Sequence, residues 1–211
     1  GMYMKKLVIA LFLSFAAAAA ASAADMLQFS ADVVNTSKSG VMTSKLYMKA
    51  GKMRMEMPGQ DMYNITRQDK KVSWTVMPSQ KMYMEMAFQE PKNVPESKVK
   101  GEISRKLVGK ETVDGHPAEK YEVTYTDADT RQRMYQWMAT DINFPVKMAA
   151  VDGSWTVEYR NIKMGAPADA LFEVPAGYKK MNMPAMPGAG FGKGMTPGKM
   201  PKNMPLPDVD E

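Results

Sequence analysis

From Met26 to Tyr178 apolar and polar side chains alternate, segment after segment, with Gly, Pro, Asp and Asn between the segments. A period of two is the signature of strands with one face buried. The pattern predicts strands at about 26–35, 42–50, 52–57, 62–67, 71–77, 81–88, 102–112, 118–126, 132–140, 145–151 and 154–163. The links Ala50-Gly51, Gln68-Asp69-Lys70, Pro78-Ser79-Gln80, Asp114-Gly115 and Asp152-Gly153 are of turn length. Links that short join antiparallel neighbours, because a parallel crossover needs a dozen or more residues. The fold class is therefore mostly β: a sandwich, a barrel or one large curved sheet.

Two stretches depart from the alternation. Residues 90–101 (EPKNVPESKVKG) are polar with two prolines and read as a long loop or a short helix, and residues 166–171 (APADAL) read as one helical turn. The ends differ from the body. Met4-Lys5-Lys6, the uncharged run Leu7–Ala21 and the small residues Ala21-Ser22-Ala23 have the layout of a secretory signal peptide over residues 1–23. That run is too short to span a bilayer comfortably. Residues 24–180 then form the β domain. In 181–211 the periodicity vanishes and Met, Pro and Gly dominate, a composition expected to be disordered.

Composition narrows the chemistry. The chain has no cysteine and one histidine, His116, in a turn. That removes disulfides, thiolate metal sites and a cysteine nucleophile, and leaves little for a histidine site or a Ser-His-Asp triad. Acidic residues are scattered and no glycine motif follows a strand and opens a helix, so no catalytic constellation stands out and the chain is read as a non-enzyme. The net charge of +5 comes from interspersed signs, which argues against a nucleic-acid binder. The basic residues Lys98, Lys100, Arg105, Lys106 and Lys110 read as a solvated face, the alternative being transient contact with an anionic membrane surface.

Methionine is the outlier, at 23 residues. Met53-Arg54-Met55-Glu56-Met57 and Met82-Tyr83-Met84-Glu85-Met86 each put three thioethers on one strand face. Three readings follow: ordinary core, the lining of an apolar cavity by flexible side chains, or copper(I) ligation by soft sulfur. Val72, Trp74 and Val76, then Tyr121, Val123 and Tyr125, then Trp155, Val157 and Tyr159 alternate in the same way and suit a half-buried sheet. Met181, Met183, Met186, Met195, Met200 and Met204 in the tail are the alternative soft-metal set.

The runs Val113-Asp114-Gly115-His116-Pro117-Ala118-Glu119-Lys120-Tyr121-Glu122-Val123 and Asn161-Ile162-Lys163-Met164, then Ala168-Asp169-Ala170-Leu171-Phe172-Glu173-Val174-Pro175-Ala176-Gly177-Tyr178, resemble the hairpin and the closing piece of LolA/LolB-like exported proteins, the lipoprotein-localisation-factor superfamily. The resemblance spans about residues 26–180. It implies an incomplete antiparallel β-barrel of about eleven strands, curved over a short helical lid and enclosing an apolar cavity for acyl chains. On that basis Met53, Met55, Met57, Trp74, Met82, Met84, Met86, Tyr121 and Trp155 are the expected cavity lining. The expected ligand is a lipid or the acyl chain of a lipoprotein, the expected location the periplasm, with no cofactor and no lipid anchor. A structural or interaction protein with a closed core is the further alternative.

Overall fold

The computed structural model of the chain describes residues 27–91 and 94–182. The expected signal peptide and nearly all of the tail, including Met183, Met186, Met195, Met200 and Met204, lie outside the described residues.

Twelve strands form one sheet: β1 (Phe29–Ser37), β2 (Gly40–Lys49), β3 (Lys52–Glu56), β4 (Tyr63–Arg67), β5 (Val72–Met77), β6 (Met82–Ala87), β7 (Glu102–Val113), β8 (His116–Asp127), β9 (Thr130–Ala139), β10 (Phe144–Ala150), β11 (Trp155–Met164) and β12 (Lys179–Lys180). Their order is β12-β6-β5-β4-β3-β2-β1-β11-β10-β9-β8-β7. The two outermost strands do not pair with each other, so the barrel is open. Every pairing is antiparallel except β12 beside β6. The eleven strands expected from alternation are all present. The twelfth is two lysines long, too short to leave a periodic signal.

The turns explain the registers. Asp114 and Gly115 have φ of +48° and +80°, the pair of positive values that a two-residue hairpin turn of the matching twist requires. Residues 166–171 supply a 3-10 turn at Asp169–Phe172. A second such turn, at Pro78–Gln80, closes the β5–β6 hairpin.

Two hydrophobic clusters hold the domain. The larger gathers Phe29, Ala31, Val33, Leu46, Phe144, Val146 and Tyr159, among others, with the Phe144 ring edge-on to Phe29 at 4.8 Å and to Tyr159 at 5.4 Å. The smaller one is Tyr63, Ile65, Trp74 and Val76 closed by Phe172.

The link between β6 and β7 reveals the curvature. These strands stand ten pairings apart, about 48 Å along a sheet with strands ~4.8 Å apart. The 14 residues from 88 to 101 would need nearly full extension, at about 3.4 Å each, to cover that arc. A curved sheet shortens the path to a chord, and a chord lies on the concave side.

Candidate functional site

Cross-strand partners share a face, so the registers sort every side chain. Met53 and Met55 of β3 pair with Met48 and Leu46 of β2, which pair with Phe29 and Ala31 of β1. Val33 then pairs with Tyr159, Val157 with Met148, Met148 with Gln136 and Gln136 with Tyr121. In the other direction Met55 pairs with Asn64, Asn64 with Thr75 and Thr75 with Met84. Both methionine triplets, Tyr121 and Trp155 are therefore on one continuous face. Gln136 donates from Nε2 to the Glu96 carbonyl at 2.9 Å and Arg105 from Nη2 to the Ser97 carbonyl at 2.9 Å. The part of the β6–β7 link at Glu96 and Ser97 thus lies on this same face, making it the inner, concave one.

Trp74 is not part of it. It pairs with Ile65 and Glu85, on the outer face, where Phe172 covers it. Alternation groups Trp74 with Val72 and Val76, but the face of a strand relative to its neighbours is set by register, and Trp74 falls opposite the methionines.

The 3-10 turn is likewise on the outer face. Arg67, 3% exposed, donates to the Phe172 carbonyl at 3.0 Å and forms ion pairs with Asp69 and Glu173. Arg54 donates to the Leu171 carbonyl at 3.1 Å and stacks 3.7 Å above the Tyr63 ring. Lys49 meets Asp169 at 2.7 Å. The segment after β11 is thus strapped to the outside of β2–β5, and no helical lid faces the methionines among the described residues.

The inner face is unevenly filled. Around β1, β2, β8, β9 and β11 it is packed: Phe29, Leu46, Val123, Gln136 and Tyr159 are at 0–3% exposure. Gln136 Oε1 is buried with no hydrogen-bond partner among the described residues. Met53 and Met55 lean on this core half-buried. Across β4 and β5 the face turns polar, with Asn64, Thr66, Ser73 and Thr75 in two cross-strand rows and Thr75 Oγ1 donating to Asn64 Oδ1 at 2.9 Å. Beyond lie Met82 and Met84, half-buried, and Met86, 51% exposed. These three belong to neither hydrophobic cluster. The two stripes are three strands apart, about 14 Å, with a polar band between them. Alternation along one strand carries no information about what lies between two strands, so the sequence pattern does not reveal the band.

Open clefts flank the sheet among the described residues. One of about 540 Å³ includes Tyr125, Gln132, Ala150 and Trp155 at the inner-face end of β8–β11. Another of about 460 Å³ lies beside the β7–β8 hairpin, lined by Lys110, Glu111, Pro117 and Glu119 among others. Tyr121 donates to Glu119 at 2.6 Å. His116 Nδ1 is 2.8 Å from Asp141 at the hairpin surface. No group of three or more His, Cys, Asp or Glu side chains able to hold a metal occurs among the described residues, nor does a helix long and apolar enough to cross a membrane.

A family model described as "Domain of unknown function (DUF4412)" matches residues 31–143, more than half of the chain. The chain belongs to this family. No curated protein matches it. Among solved structures, MucB superposes with a TM-score of 0.52 at 16% identity, over 72% of this chain and 59% of the MucB chain. The MucA/MucB complex of Pseudomonas aeruginosa gives 0.50 at 15%, over 72% and 58%. A putative outer membrane lipoprotein-sorting protein domain from Vibrio parahaemolyticus gives 0.32 at 9%, over 70% and 89%. At such identities the likeness to MucB is one of fold. This DUF4412 chain spans about three fifths of the length of the MucB chain it resembles.

Proposed function

We propose that this DUF4412 protein is a non-catalytic binding protein of the bacterial cell envelope, LolA/LolB-like in kind, that seats an acyl-bearing amphiphile on the inner face of β3–β6. One observation carries the reading: three methionines in a row on the concave face, Met82, Met84 and Met86, are packed into neither cluster. A closed core would have covered them. Flexible thioethers adapt to chains of differing length, and each methylene they bury contributes about 0.8 kcal/mol before ordering costs. The polar band of Asn64, Thr66, Ser73 and Thr75 offers hydrogen bonds to an ester or head group lying between the stripes. Export to the periplasm rests on the signal-peptide layout of residues 1–23.

Native mass spectrometry of protein purified from its own envelope, followed by lipid extraction, tests this. The expected result is an adduct of lipid mass that is lost in Met84→Asp, a substitution outside both cores. Protein that carries no lipid, or an adduct that survives Met84→Asp, refutes the seat.

A second reading has its own observation. β7 is a twelve-residue edge strand with Ile103, Leu107 and Val108 each 44–52% exposed, and an unpaired edge accepts an added strand. The solved MucB complexes hold MucA(peri) and MucA, so a related fold takes a polypeptide partner. Lys106 and Lys110 on this edge favour an acidic segment. Protection of β7 amides from hydrogen exchange by a partner, with the inner face unaffected, would select this reading.

A further inference from the structure

The registers assemble a second set of methionines that alternation along single strands does not reveal. Met77 of β5 pairs directly with Met82 of β6. Continuing the β4–β5 register by one residue, from Tyr63 opposite Val76, puts Met62 beside Met77. The same step from Glu56 opposite Tyr63 puts Met57 beside Met62. Four thioethers, Met57, Met62, Met77 and Met82, thus form a row across one end of the sheet, all on the inner face. Two more join it. Met84 follows Met82 on the same face, and Met181 donates its backbone N–H to the Tyr83 carbonyl at 2.7 Å, which continues the parallel β12–β6 register and sets Met181 beside Met84.

None of these six is in a hydrophobic cluster. Met62 is 44% exposed and Met57, Met77, Met82, Met84 and Met181 are half-buried, so none of these residues is sealed from solvent. Directly opposed Cβ atoms lie about 4.5–5.5 Å apart, and a side chain with three rotatable bonds can bring its sulfur onto a shared point above such a pair.

We infer that Met77, Met82 and Met84, with Met62 and Met181 on either side, form an all-thioether site for a soft monovalent cation of the copper(I) class. Soft sulfur donors select copper(I) over the hard and borderline divalent ions. A thioether has no proton to lose, so proton competition, which weakens thiolate and imidazole sites as pH falls, is absent here. The site shares Met82 and Met84 with the amphiphile seat but does not rest on it: Met77, which pairs with Met82, has no part in that seat, and the metal test is read with no lipid present.

Silver(I), a redox-inert analogue, is titrated into full-length protein whose methionine methyl groups carry carbon-13. The expected result is a one-to-one complex that shifts the methyl signals of Met77, Met82 and Met84, with affinity unchanged between pH 5 and 8. Met77→Leu/Met82→Leu weakens binding at least tenfold. Met62→Leu, at an exposed position with no folding risk, weakens it measurably. Met53→Leu/Met148→Leu leaves it unchanged. Leucine conserves volume, and an unchanged circular dichroism spectrum verifies each fold. Wild-type affinity in Met77→Leu/Met82→Leu overturns the site. So does loss of binding when Met183, Met186, Met195, Met200 and Met204 alone become leucine, which would assign the metal to the tail.

Discussion

Gly101 ends the β6–β7 link at a φ of +74°, and a Cβ there would lie 2.4 Å from the Thr126 carbonyl oxygen. Thr126 in turn donates its N–H to the Gly101 carbonyl at 3.0 Å, so neither backbone can withdraw without breaking that bond. Gly101→Ala is expected to cost about 1–3 kcal/mol through the unfavourable backbone angle and the clash, read as a lower midpoint in urea unfolding. Arg67 shows how charge works at this scale. Its bidentate bond holds the Asp69 carboxyl down at about 2 from an ordinary 3.8. Burial pushes the Glu173 carboxyl up, but the bonds from Arg67 and Lys70 outweigh it and leave it below its usual value. A carboxylate whose folded value is depressed stabilises the fold above its unfolded value and loses that contribution as pH falls through the folded one. The strap should therefore loosen between about pH 4 and pH 2, exposing Trp74, whose indole N–H signal reports it. In Glu173→Gln this acid step should shrink, and an unchanged step would show that the Arg67–Glu173 pair does not hold the strap.

At the scale of elements, the strands were legible because alternation is a local property: every residue of β5 or β8 declares its own side. Which side faces which neighbour is not local. Trp74 shares the period of Met84, yet the pairing of β5 with β6 sets them on opposite faces. The row Met57-Met62-Met77-Met82 was hidden for the same reason, since its members come from two hairpin ends, β3–β4 and β5–β6. The strap after β11 was visible as a helical turn but not as an outer-face element, because its placement depends on Arg54 and Arg67, which lie more than a hundred residues earlier. The two triplets consequently differ in energetic role. Met55 touches the main core and Met84 does not, so Met55→Asp should destabilise the domain by a few kcal/mol for a buried charge, whereas Met84→Asp should change the thermal midpoint little. Equal losses in the two variants would mean that both stripes are core.

The described residues form an open sheet of twelve strands with unequal coverage. Its outer face at β2–β6 is closed by the strap, and its inner face is closed around β9 by the β6–β7 link and left uncovered at β4–β6. On the proposed reading, this uncovered stretch leaves Met82, Met84 and Met86 where a ligand can reach them. The most direct test is a titration of carbon-13 methyl-methionine protein with a lysophospholipid below its micelle concentration. Saturable shifts at Met53, Met55, Met82, Met84 and Met86, with the Trp74 indole N–H signal unmoved, are the predicted result. Methyl signals that stay in place while lipid is present in excess would contradict the account.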